Sequence, residues 1–197
     1  MPDKAKQILK AAEKLFASGR FHEVTLDEIR KKAGVGKGTV YRYFEDKEDL
    51  YWQVILSGFD ELVASVREVG EQEQDPGRGL RTLVERMAHF FTERGALFGL
   101  MWTVRRRGSG RKRKVWHEWR SKEDKILAVA AGFVMRGMQQ GRYATELSPA
   151  ASGRLLLGMV RTGLMHRHEM PGGKDWHRAV VELFEKGLLV RAEHGSA

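Results

Sequence analysis

The stretch TLDEIRKKAGVGKGTVYRYF, residues 25–44, decides the fold that we expect for this chain. Thr25 has a hydroxyl that can cap a helix, and Glu28, three residues later, can complete a capping box. A short helix is therefore predicted over residues 26–33. A second short helix is predicted over residues 37–44, after a tight turn.

The turn between these helices is the sequence AGVG, residues 33–36. Gly34 can adopt the left-handed conformation that ends a helix. Upstream, residues 4–18 place apolar side chains on one face of a further predicted helix, which can support the pair. Two short helices joined by a tight turn and supported by a third form a helix-turn-helix, whose second helix enters the major groove of DNA.

The second helix of the pair has the chemistry of a polyanion-binding surface. Lys37 and Arg42 supply positive charge, Gly38 permits close approach, and hydroxyl and phenol groups can donate to phosphate oxygens. Lys37 and Arg42 are also the side chains best suited to bind guanine O6 and N7. The alternative is that Tyr41 and Tyr43 only pack the small domain. Gly36 lacks a capping side chain, so this helix is expected to have a weak N-cap.

The runs Thr25–Ile29, Ala33–Phe44 and Lys47–Leu50 together resemble the N-terminal domain of TetR-family transcriptional regulators. This resemblance is confined to the first 50 residues, and the remainder is similar to the family only in the number and length of its helices. The resemblance implies an all-α, nine-helix fold with a DNA-binding domain over residues 1–46 and an effector-binding and dimerisation domain over residues 47–197. It also implies DNA contacts, with phosphates or with base edges, from Thr25, Lys37, Gly38, Thr39, Tyr41, Arg42, Tyr43 and Lys47.

No segment alternates between apolar and polar residues over a length typical of a β-strand. The basic segment, residues 105–114, contains two glycines and is predicted as a loop or a frayed helix end. Further helices are predicted from Asp46 to beyond Val66, over residues 80–94 and 96–104, from the basic segment to about 140, and over residues 149–168 and 175–192.

The last two predicted helices offer apolar faces for dimerisation, and two copies would form a four-helix bundle. A two-fold dimer places two DNA-binding helices about 34–36 Å apart and predicts an approximately palindromic operator. The alternative is that these side chains pack only within the chain. The predicted interface residues are Leu156, Met159, Val160, Leu164, Trp176, Val180, Leu183 and Phe184.

Large aromatic and methionine side chains populate the central helices, and such side chains can line an adaptable apolar pocket. The competing interpretation is an ordinary packed core. By the mechanism that the family resemblance implies, a ligand here would tilt the helix that begins at Lys47 and would release the DNA. The predicted pocket residues are Phe59, Met87, Phe91, Phe98, Met101, Trp102, Trp116, Trp119 and Phe133.

The formal net charge is +9, and residues 101–122 hold nine basic residues against one acidic residue. We expect the basic segment to provide long-range attraction or additional phosphate contacts. An anionic effector site and a solvated charge run are the alternatives. The residues concerned are Arg105, Arg106, Arg107, Arg111, Lys112, Arg113 and Lys114.

Composition excludes several other classes of protein. The chain contains no Cys and no Asn, which rules out disulfides, thiolate metal sites and N-glycosylation. It has no secretory leader pattern and no apolar run long enough to cross a bilayer, so a cytoplasmic location is expected. The seven His form no metal-binding spacing and no catalytic motif appears, so we predict no enzyme activity, no metal and no cofactor.

These observations predict a DNA-binding transcriptional regulator, a homodimeric repressor released from its operator by a small, largely apolar or aromatic effector. A ligand-independent or architectural DNA-binding protein is the first alternative, and an all-α enzyme is the second.

Overall fold

The computed structural model describes residues 1–18, 21–94, 111–169 and 175–188, with the backbone alone at residues 18 and 111–114. These residues form eight α-helices and no β-strand, which confirms the predicted all-α class. The additional helix predicted over residues 96–104 lies outside them. The helices are α1 (Asp3–Ser18), α2 (Leu26–Ala33), α3 (Lys37–Tyr43), α4 (Lys47–Gln72), α5 (Pro76–Glu93), α6 (Arg111–Gln139), α7 (Pro149–Met165) and α8 (Trp176–Leu188).

Helix α2 begins and ends where its sequence predicts. The Thr25 side chain accepts from the backbone N–H of Glu28, and the Glu28 carboxylate accepts from the backbone N–H of Thr25. Gly34 is left-handed, with φ 64°, and its N–H donates to carbonyl oxygens in the last turn of α2. Both ends are therefore fixed by local hydrogen bonds.

Helices α1 to α3 enclose a small apolar core. Ile8 and Phe16 of α1, Ile29 of α2 and Val40 of α3 are buried, together with Phe44, which follows α3. Gly36 precedes α3 without a side-chain cap, in agreement with the prediction. The short α3 is therefore held by packing on one side rather than by its own termini.

The start of α5 corrects the sequence prediction by four residues, because the helix begins at Pro76 and not at residue 80. The Asp75 carboxylate accepts from the backbone N–H of Arg78, and proline suits the first position of a helix. Gly77 and Gly79 lie inside this helix, although glycine has a low helix propensity. The cap at Asp75 favours the earlier start.

Helix α6 begins at Arg111, so residues 111–114 of the basic segment are helical rather than part of a loop. Helix α7 ends at Met165, three residues before the predicted end. The end of α8 had been predicted near residue 192, which lies outside the described residues.

The chain divides into two compact units. The first comprises the described residues of 1–61 and 91–121, and the second comprises those of 62–90 and 122–197. The proposed domain boundary at residues 46/47 stays a prediction. Among the described helices, none is long and apolar enough to span a membrane.

Glycines let bulky rings approach neighbouring helices closely in the second unit. A Cβ atom on Gly79 would lie 2.0 Å from the Phe133 ring, and one on Gly163 would lie 2.3 Å from the Trp176 ring. Phe133 and Trp176 are both buried. The rings thus occupy the space that a side chain on these glycines would need.

Candidate nucleic-acid interface

The two sides of α3 differ in burial. Val40 and Phe44 are buried against α1 and α2, with exposures of 1% and 2%. The opposite side presents Lys37, Gly38 and Arg42 to solvent, and 52% of Tyr41 is exposed. The packing that holds α3 therefore leaves its cationic and phenolic side chains accessible.

Arg42 and Tyr43 form a pair on this surface. The guanidinium Nη2 of Arg42 donates to the Tyr43 hydroxyl over 3.0 Å, and its Cζ lies 4.9 Å from the centre of the Tyr43 ring. Tyr43 and Thr39 are half-buried. A guanidinium carries five N–H donors, so Arg42 retains donors for a DNA acceptor while its side chain is oriented by the ring.

Thr25 lies at the start of α2 and is exposed, but its hydroxyl already serves the helix cap. It donates to the Glu28 carboxylate over 2.8 Å and accepts from the Glu28 backbone N–H over 3.2 Å. The pKa of Glu28 is lowered most by the hydrogen bond from the backbone N–H of Thr25. The hydrogen bond from the Thr25 side chain is the second cause. A phosphate contact by Thr25 stays a prediction.

Lys47 occupies a position that the sequence did not reveal. Its Nζ donates to the carbonyl oxygens of Phe21 and Val24 over 2.9 and 3.0 Å, and it lies 4.5 Å from the centre of the Phe21 ring. It therefore ties the α1–α2 connection to the start of α4. Hydrogen bonds to backbone carbonyl oxygens cannot be recognised from a sequence pattern, because every residue has such an oxygen. The predicted phosphate contact of Lys47 would compete with these two hydrogen bonds.

Four of the predicted pocket residues form an aromatic cluster in the first unit: Phe59, Phe91, Trp116 and Trp119. The Phe59 ring lies 6.4 Å from Phe91 and 6.3 Å from Trp119, and the two indoles are 4.8 Å apart. The phenyl rings are buried, whereas the indoles are half-buried. The structure thus brings these four residues together at a partly open position.

Two further predicted pocket residues belong to the second unit, and three are not among the described residues. Met87 and Phe133 are buried within the second unit, where Phe133 packs on Gly79. Phe98, Met101 and Trp102 lie outside the described residues.

The sequence did not predict a charged groove of about 720 Å³ in the first unit, lined by residues of α1, α4 and the end of α5. Arg94 lies in it, 2.5 Å from the Glu61 carboxylate and 3.9 Å from that of Glu13. Its charged lining does not match the apolar pocket that the sequence predicts.

The basic segment, residues 105–114, lies mostly outside the described residues. Arg105, Arg106 and Arg107 lie outside the described residues, as do the side chains of Arg111, Lys112, Arg113 and Lys114. Their contribution to DNA binding stays a prediction.

The predicted dimer residues divide into two sets. Leu156, Val160, Leu164, Trp176, Val180 and Phe184 are buried within the protomer, Met159 is half-buried, and 66% of Leu183 is exposed. Leu155, which the sequence prediction omitted, is 55% exposed. Helical periodicity identified the apolar faces but did not distinguish the inner face of α7 from the outer one.

In the part of the chain that the structure describes, no three His, Asp or Glu side chains are grouped as a metal site would require.

Comparison with known proteins identifies the first three helices and the start of α4. Residues 8–54 match the family model described as bacterial regulatory proteins, tetR family. The HTH-type transcriptional activator FasR of Mycolicibacterium smegmatis is 36% identical over 84 residues, which are 43% of this chain and 38% of that protein. The uncharacterized HTH-type transcriptional regulator YhgD of Bacillus subtilis is 34% identical over 74 residues, 38% of this chain and 37% of that protein. The chain thus spans less than two-fifths of the length of these relatives.

Solved structures resemble the chain over nearly its whole length. FadR from Bacillus subtilis, in complex with stearoyl-CoA, has a TM-score of 0.77 and 19% identity, and the match covers 92% of this chain and 98% of FadR. FadR from Bacillus halodurans, described as a fatty acid degradation regulator, has a TM-score of 0.78 and 20% identity, with 95% and 97% covered. These structures establish the fold. The relatives are named as transcriptional regulators, in agreement with the prediction that the chain is not an enzyme. Residues 8–54, which include α2, α3 and the start of α4, are thus similar to the corresponding part of bacterial regulatory proteins of the tetR family.

Proposed function

We propose that the protein is a sequence-specific transcriptional repressor that binds an approximately palindromic operator through α3. The observation that carries this proposal is the two-sided character of α3. Val40 and Phe44 anchor the helix, whereas Lys37, Tyr41 and Arg42 remain exposed on it. The anchored side fixes the orientation of the helix, and the exposed side supplies phosphate donors and two cations that can bind guanine.

A palindromic operator requires two copies of the chain. We propose that they meet through the outer faces of α7 and α8, where Leu155, Met159 and Leu183 carry apolar surface that the protomer does not bury. The dimer would place the second α3 about one turn of DNA away. Symmetric contacts of this kind bury the same patch on both copies.

The proposed effector is a largely apolar molecule bound at the aromatic cluster. The half-buried indoles of Trp116 and Trp119 provide an approach to the buried rings of Phe59 and Phe91. The similarity in fold to FadR in complex with stearoyl-CoA supports a long-chain acyl thioester as the first class to test. Such a ligand releases DNA only if it binds more tightly to the DNA-incompatible state. The protein would act in the cytoplasm, where bacterial operators are accessible.

The first experiment selects bound fragments from random DNA with the full-length protein. A recovered site with two inverted half-sites, about 10 base pairs apart between centres, would support the proposal. Lys37→Ala and Arg42→Ala should each weaken binding to that site by about 5- to 100-fold and relax selectivity at one base position per half-site.

Arg86→Ala and Lys125→Ala are the matched controls, because each removes one exposed positive charge from a helix outside α3 and outside the proposed dimer interface. They should leave operator binding within about two-fold of wild type, since exposed surface substitutions have small effects. Recovery of no common sequence, or equal losses in all four variants, would contradict sequence-specific binding through α3.

A further inference from the structure

One polar atom of the aromatic cluster lacks a hydrogen-bond partner. The indole Nε1 of Trp119 is buried, and no acceptor reaches it in the described part of the chain. Three other buried side-chain atoms share this property, on Arg136, Ser152 and His177, and all three belong to the second unit. Trp119 therefore carries the one such donor found in the described residues of the first unit.

An unsatisfied N–H in an apolar environment destabilises the protein that contains it. The indole N–H can donate but cannot accept, and it does not lose its proton at physiological pH, so it cannot relieve the cost of burial in that way. Buried donors without a partner are few in folded proteins, and a bound ligand is one physical reason for them. Replacement of Trp119 by Phe would remove this cost while keeping an aromatic ring.

The surroundings of this N–H indicate where an acceptor would come from. Trp119 packs edge-on against the Phe59 ring at 6.3 Å and lies 4.8 Å from the Trp116 ring. These neighbours offer carbon surfaces rather than oxygen acceptors. Both indoles remain half-buried, so a ligand can reach the cluster from the protein surface.

We propose that Trp119 selects effectors that carry a hydrogen-bond acceptor within their apolar body, and that its Nε1–H donates to that acceptor. This inference rests on the proposed effector function. For an acyl thioester, the acceptor is the thioester carbonyl oxygen. For a free fatty acid, which shares the acyl chain, it is a carboxylate oxygen. A hydrocarbon of equal length without either group leaves the donor unsatisfied.

A pair of ligands that differ in one carbonyl group tests the inference. Palmitoyl-CoA carries a thioester carbonyl, and S-hexadecyl-CoA has a methylene in its place. In isothermal titration calorimetry, we expect the full-length wild-type protein to bind palmitoyl-CoA about five- to ten-fold more tightly than S-hexadecyl-CoA. This ratio of affinities corresponds to the free energy of one hydrogen bond. Trp119→Phe should bind the two ligands equally.

Trp116→Phe is the matched control, since it replaces the neighbouring indole of the same cluster and should keep the preference for palmitoyl-CoA. Palmitate serves as a third ligand. If palmitate binds with an affinity that depends on Trp119 and palmitoyl-CoA does not bind, the carboxylate is identified as the acceptor and the inference is supported. A preference for palmitoyl-CoA that Trp119→Phe retains would overturn it.

Nuclear magnetic resonance of the wild-type protein gives a second readout that does not depend on a variant's stability. With ¹⁵N-labelled indoles, palmitoyl-CoA should move one indole N–H resonance downfield, and S-hexadecyl-CoA should not. The absence of any such difference would contradict the inference. If none of the three ligands binds, the acyl class and this inference both fail, while operator binding in the same samples shows whether the DNA-binding function stands.

Discussion

Position 137 of α6 has room for the hydrogen atom of glycine but not for a methyl group. A Cβ atom there would lie 2.0 Å from the ring of Tyr143, which is only 3% exposed. Gly137 also accepts backbone hydrogen bonds from Arg142 and Tyr143. The Tyr143 ring is held by burial and the backbone of Gly137 by hydrogen bonds. Moving either of them to make room for a methyl group would therefore cost free energy.

Gly137→Ala should therefore lower the free energy of unfolding by about 1–3 kcal/mol through overpacking. Gly132→Ala, in the same helix, is the control, because no atom lies within 4 Å of the added methyl group. It should raise that free energy by up to about 1 kcal/mol, the difference in helix propensity. Urea denaturation measures both. Equal effects of the two substitutions would show that Tyr143 does not restrict position 137.

Asp75 couples the stability of the second unit to pH. The backbone N–H of Arg78, and next the positive charge of Arg142, lower the pKa of the Asp75 carboxyl below its ordinary value of 3.8. A carboxyl whose pKa is lower in the folded state adds stability above the unfolded-state value. That contribution is lost as the pH falls through the folded-state value.

Asp75→Ala should cost about 1 kcal/mol at pH 7 through loss of the helix cap. The difference from wild type should shrink as the pH falls below 3.8, because the wild-type carboxylate then becomes protonated. Denaturation at pH 7, 5 and 3 measures this convergence. Glu146→Ala, which removes an exposed carboxylate from the α6–α7 connection, is the control and should show no cost at pH 7. A constant difference for Asp75→Ala at all three pH values would rule out the charged cap.

At the scale of helices, the sequence predicts an element well where its ends are fixed locally. Thr25, Glu28 and Gly34 determine both ends of α2, and all three signals lie within ten residues. The start of α5 could not be predicted in the same way. Gly79 reads as a helix breaker locally, but in the structure it makes room for Phe133, which lies 54 positions later in the chain.

The candidate functional residues follow the same division. The residues of α3 can be proposed as DNA contacts from the sequence because the helix-turn-helix is a local pattern. The contacts of Lys47 with Phe21 and Val24 and the unsatisfied N–H of Trp119 depend on residues far apart in sequence. Such relationships become visible only when the helices are packed.

Helix α7 is apolar on more than one side, so periodicity alone does not show which side is available to a second copy. Leu156, Val160 and Leu164 turn out to be buried in the protomer, and Leu155 is exposed. The proposed interface therefore depends on the outer residues, including Leu183 of α8.

Leu183→Glu should weaken dimerisation by at least about 100-fold, because the symmetric interface would bury two unpaired carboxylates. Sedimentation equilibrium gives the dissociation constant directly. Met135→Glu is the matched control, since Met135 is 48% exposed on α6, outside the proposed interface. It should leave the dimer intact. A Leu183→Glu protein that remains fully dimeric would place the interface elsewhere.

For the molecule as a whole, the positive charge is concentrated outside the helix-turn-helix. The first 50 residues contain 11 basic and 9 acidic residues, so the DNA-binding helices are nearly neutral overall. Most of the net charge of +9 comes from residues 101–122. We therefore expect sequence reading by α3 and long-range attraction to phosphates to come from different parts of the chain.

This separation predicts the effect of salt on operator binding. Replacing Arg105, Arg106 and Arg107 by Gln removes six positive charges per dimer. Each lost phosphate contact reduces the slope of log affinity against log salt by about 0.9, so a reduction of roughly 2–5 is expected. Titrations between 50 and 300 mM potassium glutamate measure the slope, and the preferred operator sequence should not change. The control replaces Arg67, Arg86 and Lys125, three exposed basic residues on α4, α5 and α6, and removes the same charge. Equal slopes for the two variants would mean that the segment acts only through net charge. A slope of the Arg105, Arg106 and Arg107 variant that is unchanged from wild type would mean that these arginines contact solvent and not DNA in the complex.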